Sequence, residues 1–329
     1  MIATLSATER LCSACREHLD GPECGHCGWR VGEVAGFADF RLVGDRFLDL
    51  EAERAKAERL AKYADIRDLQ GLAEAYYAMT PDVDASRRSR YLAHILGAEA
   101  RGAALAALLP TRGRILEIGC GTGGLLAAAR RRGLAIGGVD IAARWLVVAR
   151  KRLVEATLHA TMTVASAECL PWADATFDAI VADSLLEHLD DPASALAEAS
   201  RVLRPGGMML LWSPNRYWVG TDPHVGLAAL GFLPRMLMPA YVRWRRGFAW
   251  PPRCLSAAEA GRLATEAGFV GVELTPPTLS ESWLDGLSEQ NALHVRGYQI
   301  ASQSAVFRGM LRAIGPLWQL RAVKPGGSS

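Results

Sequence analysis

The chain has 329 residues, 50% of them hydrophobic and 22% charged, and its 37 Lys and Arg against 35 Asp and Glu leave a net charge of +2. This is globular composition with enough length for a buried core, which excludes a fibrous or low-complexity chain. A charge so near balance excludes a whole-molecule field that would gather nucleic acid or an acidic surface, so any such partner must be met locally.

The start, Met1–Glu9, lacks the basic segment and apolar core of a secretion signal. No run of about 18 uncharged apolar residues marks a membrane span. A cytoplasmic protein is the expectation, and there paired cysteines are read as metal ligands before disulfides. Four of the seven cysteines form two C-x-x-C turns, Cys12 with Cys15 and Cys24 with Cys27, and Gly21, Pro22, Gly25 and Gly28 help the chain turn. Two such knuckles supply the four thiolates of a tetrahedral zinc site. Residues 1–35 are therefore expected to be a small zinc ribbon, with His18 and His26 outside the ligand set. Cys120, Cys169 and Cys254 read as buried apolar residues.

Residues 36–86 read as a partly helical linker. The Ala-rich, charged stretch 50–72 predicts an exposed helical connector, broken at Tyr76–Pro81. A second helix is expected over 87–109, ended by Pro110. Short apolar strands then alternate with amphipathic helices. The strands are 114–118, 135–139, 160–164, 178–182 and 208–212, and the helices 123–132, 142–155 and 192–203. A helix at 256–267 and strands at 269–275 and 317–323 complete the series. Alternation at this spacing predicts a doubly wound α/β domain over 87–325, with a mainly parallel, seven-stranded, Rossmann-like sheet. Stretches 214–254 and 276–315 read as inserts, and loops of such length usually serve function.

The strand Ile115–Ile118 runs straight into Gly119-Cys120-Gly121-Thr122-Gly123-Gly124, and a helix follows. Glycines turn the chain tightly and leave room for a cofactor against the backbone. In open α/β sheets ligands bind at the carboxyl ends of strands. Gly119, Gly121 and Gly124 also satisfy the dinucleotide fingerprint, with Asp140 about 20 residues on, so the loop alone leaves a nicotinamide dinucleotide open.

The rest of the domain adds a series. Ile115–Gly124 resembles the first motif of class I S-adenosylmethionine (SAM)-dependent methyltransferases, and Gly138-Val139-Asp140-Ile141 resembles the second. Ser166–Trp172 with Phe177-Asp178 is similar to the family's third-strand region. Ser184–Pro192 is similar to the segment after the fourth strand, and Leu203–Gly207 to the turn before the fifth. On this ordered series, over about residues 100–215, the chain is identified as a class I methyltransferase of the type 11, ubiquinone-biosynthesis-like group. The resemblance implies a SAM-dependent enzyme in which Glu117 and the backbone of Gly119, Cys120, Gly121, Thr122 and Gly123 receive the cofactor's amino acid end. Asp140 would accept the ribose hydroxyls and Ile141 would lie against adenine. Ser166, Ala167 and Glu168 would line the adenine edge, and Asp183 and Ser184 would pass the methionine moiety. Ser166 departs from the family, where Asp is frequent.

Candidate catalytic residues are Glu187, His188 and His224. Glu187-His188 resembles a pair in ubiquinone-type O-methyltransferases, where a Glu three residues earlier helps hold a divalent ion; here that position is Ser184. The insert carries Arg235, Arg243, Arg245, Arg246 and Arg253 among Phe232, Tyr241, Trp244, Phe248 and Trp250, with no acidic residue from 223 to 258. It reads as a substrate lid that meets an anionic or lipid headgroup, and 225–253 as a peripheral contact with the inner face of the membrane. The expected reaction moves a methyl group to oxygen on a small-molecule, lipid-linked or glycan acceptor. Two alternatives stay open. One is rRNA or tRNA methylation, because the ribbon resembles those fused to some ribosomal RNA methyltransferases. The other is a non-catalytic SAM-binding regulatory subunit.

Overall fold

The computed structural model describes residues 10–80, 83, 85–222, 225–248, 250, 253–279 and 289–326. Its strands are β1 (Gly32–Val34), β2 (Phe37–Asp39), β3 (Ile115–Ile118), β4 (Ile136–Asp140), β5 (Met162–Val164), β6 (Phe177–Asp183), β7 (Leu203–Pro214), β8 (Val270–Thr275) and β9 (Leu317–Val323). They form one nine-stranded sheet in the order β1-β2-β5-β4-β3-β6-β7-β9-β8. The five strands from β5 to β7 pair in parallel, and β9 joins antiparallel to both β7 and β8. The chain leaves β3 for β4 on one side and later takes up β6 on the other, so the switch point lies at the end of β3, where ligands bind in such sheets. All four residues of β3, Ile-Leu-Glu-Ile, are buried, as expected of a strand covered on both faces.

The helices are α1 (Leu50–Ala64), α2 (Leu69–Ala78), α3 (Ala85–Leu96), α4 (Ala98–Ala106), α5 (Gly124–Arg131), α6 (Ala143–Glu155), α7 (Pro192–Val202), α8 (Met238–Arg246), α9 (Ala257–Glu266), α10 (Glu289–Gln303) and α11 (Ala305–Ile314). Leu60 of α1, Leu72 of α2, Leu105 of α4, Leu126 of α5 and Val147 of α6 share one core. A second core joins Leu196 of α7, Ala260 of α9 and Trp318 of β9 to Cys12 and Leu19 of the cysteine-rich segment. Each face of the sheet is thus covered, and the N-terminal residues contribute to both covers.

The sheet has two strands more than the expected seven. β1 and β2 form a hairpin that pairs in parallel with β5 through Asp39 and Val164. Its turn residues, Ala35 and Gly36, both have positive φ, 49° and 76°. That is the geometry of a tight type I′ turn. Alanine does not announce such a turn, and three-residue strands are too short to show alternation. The stretch 50–72, expected as an exposed connector, instead buries Ala57 and Leu60 of α1 and Leu72 of α2. Its charged face misled because Glu53 is itself buried, held by Arg41 and Arg144. The helix expected over 87–109 is two helices, parted at Gly97, the N-cap of α4. β7 is longer than 208–212: the strand starts at Leu203, and its register with β6 shifts between Phe177 and Ala179, so Arg204–Gly207 bulges within a continuous strand. Insert 214–254 folds α8 over a small core of Val225, Leu227, Leu230, Met238 and Val242. Among the described residues no helix is long and apolar enough to cross a membrane.

Candidate functional site

The glycine loop is built by backbone bonds that glycine makes affordable. The amides of Gly119 and Cys120 both donate to the carbonyl of Val139, at 2.8 and 3.1 Å, and Gly123 donates to Cys120 at 2.8 Å. Gly119, Gly121 and Gly123 have φ of 73°, 47° and 73°. At Gly123 a Cβ would lie 2.8 Å from that of Ala149, whereas at Gly121 a Cβ would meet only the Gly119 carbonyl, at 4.0 Å. The first glycine-to-side-chain exchange is blocked by packing; the second would protrude into open space above the loop. α4 crosses the start of α5 at Gly102 and Gly124, where backbones meet so closely that a Cβ on Gly102 would come within 2.7 Å of Leu125. That crossing sets α4 beside the loop.

Three carboxylates converge there. Asp140 ends β4 and accepts the Gly121 amide at 2.8 Å and the Ala142 amide at 2.8 Å. Burial raises its carboxyl above the ordinary range, and those two amides pull the other way. Glu117 is buried, with one oxygen, Oε2, unpartnered. Burial, with Asp183 and Asp140 nearby, pushes its carboxyl well above the usual range. A buried acid with an orphan oxygen awaits a cation or donor. Asp183 ends β6; burial raises it, while the Ser184 hydroxyl, donating at 3.0 Å, and the charge of Arg101 oppose the rise. Arg101 on α4 is the charged neighbour that sequence reasoning missed, because nothing in a helix 82 residues away in sequence marks it as facing Asp183.

The side expected to face adenine lies beyond the ends of β4 and β5. Ile141 follows β4, and its carbonyl accepts from Arg41 at 2.8 Å. The Ala165 amide donates to Asp140's carbonyl at 3.1 Å, which seats Ser166, Ala167 and Glu168 beside the β4 end. The Ser166 hydroxyl accepts the Glu168 amide at 3.2 Å, so it is engaged within its own loop. Thr122 gives its carbonyl to Arg152 at 2.9 Å. Cys120 is buried against Gly138, and burial pushes its thiol up, which makes it a packing residue.

Glu187 and His188 stand on a 3-10 turn, Leu186–His188, just beyond β6. Glu187 is buried; its Oε2 accepts from the Ser213 hydroxyl at 3.0 Å and its Oε1 has no partner. Burial, with smaller contributions from Asp183 and Asp222, pushes its carboxyl up to about 7. His188 is half-buried on the same turn. His224 lies outside the described residues.

The four N-terminal cysteines close into one cage. The sulfurs of Cys12, Cys15, Cys24 and Cys27 all lie within 4.8 Å of one another. Cys12 and Cys27 are 3.6 Å apart, as are Cys15 and Cys24. Sulfurs bound tetrahedrally to zinc at about 2.3 Å stand about 3.8 Å apart, so the cage fits that ion. The chain's two knuckles are small hairpins, closed by bridges between Leu11 and His18 and between Glu23 and Arg30.

The predicted cofactor residues thus gather at the carboxyl ends of β3 to β6, Glu187 and His188 border them, and the cysteines form a separate centre. Residues 116–211 match the family described as Methyltransferase domain. A ubiquinone biosynthesis O-methyltransferase from Thiobacillus denitrificans is 31% identical over 166 residues, 50% of this chain and 68% of the relative. One from Paracidovorax citrulli is 37% identical over 112 residues, 33% of this chain and 47% of the relative, so the chain spans about two thirds of one relative and about half of the other. A solved SAM-dependent methyltransferase from Thermotoga maritima is 23% identical, covers 73% of this chain and 95% of its own, and has a TM-score of 0.47. By that match and that relative, this chain belongs to the SAM-dependent methyltransferases.

Proposed function

We propose that the protein methylates a hydroxyl oxygen on a small-molecule acceptor, with Glu187 as the base that takes the hydroxyl proton. The observation that carries this reading is Glu187 itself: buried, raised to about 7, with one oxygen free, beside the acidic end of β6. A base with that value is matched to its task near neutral pH. The relatives' names, O-methyltransferases of ubiquinone biosynthesis, support oxygen as the acceptor atom.

When bound, SAM supplies a methyl group on a cationic sulfur. The chain's residues then divide the holding. Glu117's free oxygen would meet the cofactor's ammonium, and Arg101 would neutralise its carboxylate. Asp140 keeps lone pairs for the ribose hydroxyls beyond the two amides it accepts. Ile141, fixed through Arg41, would flank adenine, and with Ser166 engaged in its loop, Glu168, which also accepts the Asp191 amide at 2.9 Å, and backbone groups would take the adenine amino group. Orientation of the acceptor and exclusion of water contribute most of the rate. The insert suits a lipid-linked form of the acceptor: Met236 and Trp244 are 85% and 75% exposed, beside Arg243, Arg245 and Arg246.

The test has two stages. SAM should bind the full chain in calorimetry, and Gly121→Arg should abolish binding while the protein stays folded; unchanged affinity would remove the pocket. Labelled SAM should then transfer its methyl group to oxygen in a small-molecule or lipid fraction. Glu187→Gln should slow that transfer about 100-fold or more. Label in RNA or on nitrogen, or no turnover at all, would replace this reading with one of the alternatives.

A further inference from the structure

The two cysteine knuckles are near copies with one telling difference. In each, the residue four places after the first cysteine returns its amide to that cysteine's carbonyl: Arg16 to Cys12 and Gly28 to Cys24, both at 2.9 Å. Both residues have positive φ, 67° and 73°. Glycine takes this conformation freely and arginine does not. The second knuckle has the residue its turn favours; the first accepts steric cost to place an arginine there.

That arginine reaches out of the ribbon. Its guanidinium donates to the Leu170 carbonyl at 3.1 Å and to the Cys169 sulfur at 3.2 Å, and it pairs with Glu198 of α7 at 3.1 Å. Glu198 in turn accepts the Leu170 amide at 2.7 Å. Leu11 donates to the Pro171 carbonyl at 3.1 Å, and Arg10 bridges to Trp172. Every residue from 169 to 172 is therefore held by the ribbon. The same loop begins at Ala165, bonded to the Asp140 backbone, and passes through Ser166, Ala167 and Glu168 on its way. One short segment joins the cofactor's ribose acid to the metal cage.

We propose that the zinc ribbon is a metal-dependent clamp on the cofactor pocket, and that Arg16 is its positioning residue, holding loop 166–172 in the shape that closes on adenine. A ribbon of this size depends on its metal for its fold, so loss of the ion would free the loop. The proposal rests on reading the glycine-loop site as the SAM pocket and the cysteine cage as a zinc site, and the experiment separates these.

SAM is titrated by calorimetry into the full chain as wild type, Arg16→Gly and Arg16→Lys, and into wild type stripped of metal by a chelator and then reloaded with zinc. Zinc is counted by elemental analysis, and amide hydrogen exchange is followed over 166–172. Arg16→Gly should keep one zinc per chain, because glycine suits the turn. It should bind SAM about tenfold more weakly, the scale of a lost charge-assisted contact, and exchange faster over that loop. Arg16→Lys should recover part of the affinity. The stripped protein should lose at least as much and regain it with zinc. An Arg16→Gly protein with wild-type affinity and exchange overturns the proposal, and so does a metal-free protein with unchanged affinity; the second needs no variant and holds even if Arg16→Gly fails to fold. Wild type that binds zinc but not SAM refutes the pocket reading, and wild type that binds SAM but never zinc refutes the ribbon reading; either removes the clamp with it.

Discussion

Glu187 shows what burial does to a single carboxyl, and it makes the reaction and the fold respond to pH in opposite ways. Its value rises from 4.5 to about 7 because the charged form has lost water, while the Ser213 hydroxyl recovers only part of that loss. As the proposed base it would work deprotonated, so kcat should climb with pH and level off above about 7, and Glu187→Gln should be slow and flat across that range. For stability the sign reverses. Between about 4.5 and 7 the folded protein keeps a proton that the unfolded chain has released, so this group's contribution falls as pH rises through that window and is constant above it. Urea unfolding should therefore show Glu187→Gln gaining on wild type between pH 5 and pH 8. A difference that is the same at both pH values would mean that the carboxylate is not held in a desolvated site. The residue was legible in the sequence through its motif. Its raised pKa was not, since that comes from burial in the assembled fold, with Asp222 of the insert adding to the rise and Ser213 of a later strand opposing it.

Between elements, the decisive feature is a charged cluster that the sequence disguises as surface. Asp39 ends β2, Arg41 follows it, Glu53 lies in α1 and Arg144 in α6, and all four are buried. Arg41 binds both oxygens of Asp39 at 2.8 Å and also pairs with Glu53, which accepts the Arg144 amide at 3.0 Å. Asp45 completes the Arg144 side. The parallel core strands and the glycine loop could be read from the chain because their signals are local: continuous apolar runs, then glycines, then an amphipathic helix. The cluster could not, because its partners are up to 99 residues apart and each alone looks like an exposed charge. Removing one member of a buried set leaves the others uncompensated, at a cost of about 3–5 kcal/mol. Glu53→Ala should lose stability on that scale in denaturant titration. It should also weaken SAM binding, because Arg41 carries the Ile141 carbonyl as well as Glu53. A loss below about 1 kcal/mol would show that the two guanidinium groups find water or other partners when Glu53 is gone.

At the scale of the whole molecule, residues 10–80 are built onto the methyltransferase sheet and its two cores. β2 extends it beyond β5, α1 packs on α6, and the ribbon supplies Cys12, Leu19 and Cys24 to the core on the opposite side. A chain that began at residue 87 would expose the edge of β5, leave Arg144 buried without Glu53 or Asp45, and uncover Leu170 and Trp172. An open strand edge beside fresh apolar surface favours association with other copies. The 87–329 fragment should therefore be aggregated or lack a cooperative thermal transition, whereas the full chain melts as one unit in which SAM and zinc each raise the melting temperature. The comparison can be made by size exclusion and calorimetry on both forms. If the fragment is monomeric, melts cooperatively and binds SAM like the full chain, the N-terminal segment is an appendage after all. If the fragment fails but regains SAM binding when residues 1–86 are added as a separate chain, the segment acts through docking, and the nine-stranded sheet is the unit that holds the cofactor.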